Sequence, residues 1–98
     1  MSNIKIFKLT SGEEAVADVV GEDNHGFLLQ DAVGLVYHQV EDGKMSVGFA
    51  PFMPYAEGEI RLSFSAIASS ASVKAHLLQE YNRVFSKIIV APAGSIVT

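Results

Sequence analysis

The sequence predicts a mainly β fold: a small, strongly bent, five-stranded antiparallel barrel followed by a C-terminal α-helix. Three observations predict it. Between Ile4 and Ile67, short runs of β-branched and aromatic residues alternate with turns built on Gly, Asp, Asn and Pro. Asp42 and Gly43 lie between two apolar runs, and a type I′ hairpin turn needs the positive φ that this pair tolerates at both central positions. Beyond Ala71 the apolar spacing changes to three and four, the period of a helix.

Each element has its own reason. Ile4–Leu9 is rich in strand formers and runs into a polar turn carrying Gly12. Ala15–Val20 returns as a second strand, and Gly21–Gly26 is a polar loop. Phe27–Val40 is long for one strand, so a bend or bulge is expected near Gly34. A two-residue Asp42-Gly43 loop sets Glu41 opposite Lys44, Val40 opposite Met45, His38 opposite Val47 and Val36 opposite Phe49. Opposite charges beside the turn and apolar pairs beyond it agree with that register. Met45–Ala50 completes the hairpin, and Pro51 and Pro54 mark residues 51–58 as a connector because proline lacks a ladder donor. Ile60, Leu62 and Phe64 alternate as a further strand, which Ile67 extends after a break.

The helical stripe runs through Val73, Leu77, Tyr81, Val84 and Ile88, widened by Leu78 and Phe85. Ser72 is the expected N-cap, and Arg83 and Lys87 sit where cations suit a helix C-terminus. The chain thus reads as one domain over residues 1–98, with a barrel over about 4–70, a helix over about 72–88 and a tail over 89–98. Short strands, tight turns and one helix favour an SH3-like barrel, with an OB-type barrel second.

Charged residues make up 18% of the chain, below the roughly 25% of ordinary soluble domains. A small domain needs charge to cover its high proportion of surface, so this deficit points to apolar surface covered by other copies or a partner. The net charge of −4 and the scattered lysines and arginines argue against a broad phosphate-binding face. The absence of cysteine removes disulfides, thiol nucleophiles and thiolate metal sites. No secretory leader pattern and no apolar run near the ~18 residues of a membrane span are read. The expectation is a soluble cytoplasmic protein, in the host cytoplasm if the chain is phage-encoded.

No catalytic constellation emerges. His25, His38 and His76 lack partners at metal-ligand spacing, and the acidic pairs all fall at turns, where solvation explains them. Phosphate loops, nucleophile elbows and zinc-protease patterns are absent. The expectation is a non-enzyme with no cofactor and no metal; an active site formed only between chains has no motif behind it. Phe49, Phe52, Met53 and Tyr55 form an apolar knuckle around the prolines. It reads as core closure at a barrel corner or as a subunit or partner contact, and after those as a platform for stacked bases.

Leu9, Gly12, Val16, Ala17 and Val19 together resemble the first motif of the Sm-like (LSm/Hfq-type) family. Ala17 stands where that family usually has glycine, and Val19 at its closing aliphatic position. Residues 23–32 resemble the family's polar loop leading into its third strand. Over Ile4 to Ile67 the chain is similar to small Sm-like proteins of tailed phages, including cyanophages. Three features depart from the pattern. Leu62 follows Arg61 where the second motif has glycine, Asn24 directly follows Asp23 where the family spaces its Asp and Asn, and the helix follows the barrel instead of preceding it.

The resemblance implies fold and ring assembly more strongly than uridine-rich RNA binding. It implies a homo-oligomeric ring of about five to seven copies, joined edge strand to edge strand. Single-stranded RNA is the ligand it brings, with Asp23, Asn24 and His25 as the loop residues to test. Phe49, Phe52, Met53 and Tyr55 are the candidate subunit or partner contacts. The second reading is a protein–protein interaction module on the same barrel without nucleic-acid binding.

Overall fold

A long bent strand organises the molecule. The computed structural model describes residues 3–85, and in it β3 (Gly26–Gln39) pairs along one side with β2 (Glu14–Glu22). Its other side is shared end to end: β5 (Ile60–Ser63) pairs with the first part and β4 (Met45–Pro51) with the last. β1 (Ile4–Leu9) continues the sheet from β2, and β6 (Ile67–Ser72) lies beyond β1. All six strands are antiparallel to their neighbours in one sheet that does not close, and α1 (Ala75–Phe85) follows them. The fold is mainly β, with a bent sheet and a C-terminal helix, as the sequence predicts. Among the described residues there are six strands, not five, because Ile67–Ser72 is a strand in its own right on β1.

The bend falls at Asp31, three residues before Gly34. Across the β2–β3 ladder, Val16 faces Val33 but Asp18 faces Gln30, so Asp31 and Ala32 together oppose the single residue Ala17. This is a β-bulge, which bends the strand that carries the extra residue. Asp31 has a φ of 55°, a left-handed conformation that Asp tolerates better than most residues. Ala17 is fully buried opposite the bulge, where a larger side chain would press on the bulged strand.

Alternation along the strands divides the apolar residues between the two faces of the bent sheet. On one face Phe7, Leu9, Ala17, Leu29 and Leu62 form a buried cluster, with Phe27, Phe52 and Ile67 packed against it. On the other, Val16, Val33 and Tyr81 are buried together, with Ile6, Leu35, Phe49, Leu77 and Phe85 around them. The second cluster exists because α1 lies on that face.

The β3–β4 hairpin corrects the expected register by one residue. Asp42 and Gly43 both have φ of 73°, as a tight turn here requires, but Glu41 joins them in a three-residue turn. The Val40 N–H donates to the Lys44 carbonyl at 2.9 Å. Tyr37 therefore faces Val47 and Leu35 faces Phe49, in place of the His38–Val47 and Val36–Phe49 pairs. A one-residue slip moves every side chain to the opposite face. The observed register puts Leu35 and Phe49 on the helix side, where Tyr81 meets Phe49 edge to face at 6.2 Å.

The helix begins later than expected. Ser72 is paired with Lys5 as the last residue of β6, so it caps nothing, and the first intrahelical bond runs from the Leu78 N–H to the Lys74 carbonyl at 2.9 Å. The packed stripe is Val73, Leu77, Tyr81 and Phe85, while Val84 is exposed. Ile88, Lys87 and the tail over 89–98 lie outside the described residues.

Candidate functional site

The polar loop and β5 meet at one end of the sheet. Asp23 folds the β2–β3 turn on itself: its Oδ1 accepts from the His25 N–H at 2.8 Å and from the Gly26 N–H at 3.0 Å. Its own N–H donates to the Gly26 carbonyl at 3.0 Å. The other carboxylate oxygen, Oδ2, lies 2.5 Å from Nη1 of Arg61, which β5 brings opposite Leu28. The backbone N–H of His25, then Arg61, hold the Asp23 carboxyl below the usual carboxylate range. The His25 carbonyl in turn accepts from the Phe64 N–H at 2.8 Å, tying the turn to the segment after β5.

Gly26 is required by this junction. A Cβ there would stand 2.2 Å from the Leu62 carbonyl oxygen, well inside van der Waals contact.

The three loop residues singled out from sequence therefore divide by role. Asp23 spends its carboxylate on the turn and on Arg61, so it positions the site. Asn24 and His25 are exposed and present amide and imidazole groups to solvent. Arg61 and Phe64 complete the cluster. Arg61 is half exposed and its guanidinium has donors beyond those facing Asp23. Phe64 packs edge to face on Phe27 at 5.1 Å while remaining 37% exposed, enough to offer an aromatic surface. Phe64 reads from sequence as an alternating strand residue, whereas it begins a short 3₁₀ turn (Phe64–Ala66). Only the Ile60-Arg61 step of the resemblance pointed to Arg61; the pairing of Asp23 with Arg61 depends on β5 returning to β3.

The apolar knuckle also divides. Phe49 packs in the helix-side cluster and Phe52 against the opposite one, so both close cores within the chain. Met53 is about half exposed and Tyr55 completely exposed. These two are the surface part of the knuckle.

A third cluster lies across the sheet. The Tyr37 hydroxyl donates to the Glu14 carboxylate, and that acceptor, with some burial, raises the Tyr37 hydroxyl above its ordinary range. Among the described residues, no group of three or more His, Asp or Glu side chains is arranged to hold a metal ion, and no helix is long and apolar enough to cross a membrane. No known protein-family model matches this sequence, and no curated protein matches it.

Proposed function

We propose that this protein is a ring-forming, Sm-like scaffold without catalysis of its own, of phage type, whose exposed turn holds single-stranded RNA. The observation that carries the assembly is the pair of open sheet edges. β4 and β6 end the strand order, each paired on one side among the described residues, and neither contains a charged residue; β5, likewise paired only with β3, carries Arg61. Proteins that remain monomeric usually guard such edges with Lys or inward charges. Two strands without charge at the ends of one sheet favour pairing between copies, and a head-to-tail contact of this kind forms a ring when its rotation closes.

The RNA clause rests on Asn24, His25, Arg61 and Phe64 sharing one exposed corner. Donors for phosphate or base edges beside an aromatic face suit an unpaired nucleotide. One partly neutralised cation per copy is weak by itself, so binding would depend on repetition around a ring. The full exposure of Tyr55 favours the second reading, a protein-interaction module.

Light scattering at micromolar concentration tests the assembly, with a multiple of the 10.5 kDa chain mass expected. A monomer overturns it. Titration with labelled oligo-U and oligo-A at two salt concentrations tests the RNA clause. Binding that weakens with salt is expected; no binding at low salt leaves the protein-interaction reading.

A further inference from the structure

We propose that the Met53–Tyr55 knuckle of one copy seats in the groove beside the helix N-terminus of the next, an inference that rests on the self-assembly reading. The groove is a concavity of about 430 Å³ lined by Ile6, Leu35, Tyr37, Val47, Val73 and Leu77. The register explains why it stays uncovered. The row Leu35–Phe49 lies under α1, whereas the next row outward, Tyr37–Val47, shares that face yet remains exposed.

Three observations choose a second copy as the occupant. Among the larger apolar side chains left exposed are two separate groups, Tyr37 and Val47 at the groove and Met53 and Tyr55 in the connector after β4. A symmetric contact through either patch leaves the other bare, while one head-to-tail contact covers both. The charges also match. Lys74 is among the residues lining the groove, and Glu57 and Glu59 follow the knuckle in sequence. All three are exposed, and neither ion pair among the described residues involves them.

Chain order supplies the third observation. The knuckle follows Pro51 at the end of β4, and the groove residues Val73 and Leu77 follow Ser72 at the end of β6. Laying β4 of one copy beside β6 of the next, with both running the same way, brings knuckle and groove together. The opposite polarity brings Met45 to the groove instead.

Single-cysteine variants of this cysteine-free chain decide between the two, since a disulfide needs Cα atoms within about 7 Å. Ala56→Cys, exposed beside Tyr55, mixed with His76→Cys under mild oxidation is expected to give a linked heterodimer, and Met45→Cys mixed with His76→Cys is not. Tyr55→Ser, at a fully exposed position, is expected to weaken subunit association at least tenfold while leaving the circular dichroism unchanged. Lys74→Glu is expected to weaken it as well, with recovery when Glu57→Lys and Glu59→Lys are added. A wild-type assembly whose mass Tyr55→Ser does not change, or a cross-link formed through Met45→Cys, overturns the knuckle contact and leaves self-assembly standing. A monomeric wild type overturns both.

Discussion

The Tyr81 hydroxyl donates to the Asp31 carbonyl at 2.7 Å, joining the helix to the bulge that bends β3. The Tyr81 ring is fully buried between Phe49 and Phe85, the latter 4.8 Å away. Its burial, with the charges of Asp31 and Asp18 nearby, raises the hydroxyl above its ordinary range. One side chain thus fixes the helix position and supports a left-handed residue in the sheet.

Tyr81→Phe keeps the ring and deletes the donor. We expect a loss of about 1–2 kcal/mol, the typical cost of removing one partner of a partly buried hydrogen bond, read from urea unfolding. Tyr81→Ala should cost about 3–5 kcal/mol, since it also empties the space between two aromatic rings. Equal stability of Tyr81→Phe and wild type would show that ring packing alone holds the helix.

Gly26→Ala places a methyl group against the Leu62 carbonyl. Backbone cannot yield as a flexible side chain can, so β5 must move. We expect about 1–3 kcal/mol of destabilisation and faster amide exchange in Ile60–Ser63 than in β1. Unchanged exchange in β5 would contradict the close approach.

The Asp23 carboxyl is held below its ordinary range by the His25 N–H and Arg61. A group whose folded pKa is depressed stabilises the protein above its unfolded pKa and loses that contribution as pH falls through the folded value. Thermal midpoints should therefore fall as pH is lowered below about 4, and more steeply for wild type than for Asp23→Asn. Because the group is open to solvent, the effect should shrink with added salt. Parallel acid limbs for the two proteins would remove Asp23 as the anchor of the turn.

Tyr37 carries the opposite sign. Its hydroxyl is raised chiefly because it donates to Glu14, so the contact stabilises the fold below the unfolded tyrosine pKa and is lost as pH rises through the folded value. In Glu14→Gln the phenolate absorbance attributable to Tyr37, isolated by subtracting a Tyr37→Phe titration, should appear at lower pH than in wild type. An unmoved titration would mean that the contact with Glu14 does not set the shift.

Local chemistry was legible wherever neighbouring residues decide it. The Gly12 turn, the positive φ at Asp42 and Gly43, the strand runs and the presence of a terminal helix, though not its first residue, all follow from residues close in sequence. The bend in Phe27–Val40 was legible as a necessity of length, though its place at Asp31 was not, because the bulge is set by Ala17 across the ladder and by Tyr81 from the helix. The hairpin shows the same limit. Asp42 and Gly43 take the backbone conformation that their type demands, yet the addition of Glu41 to the turn shifts every pair by one.

The candidate site was half visible. Asp23, Asn24 and His25 stand out as a polar loop, but nothing in their spacing announces that Asp23 is occupied by Arg61, or that Phe64 leaves its strand to lie beside His25. In the knuckle, sequence groups four apolar residues, and packing then assigns Phe49 and Phe52 to opposite cores and leaves Met53 and Tyr55 outside.

By itself, then, the sequence determined the mainly β class, the order of the elements, the terminal helix and the shortage of surface charge, because turn preference, apolar period and composition are local properties. Tertiary structure decided the register of the hairpin, the site of the bend, the separation of the two cores and the union of Asp23 with Arg61. Those depend on which distant strand or helix buries a given face, and burial is a property of the assembled sheet.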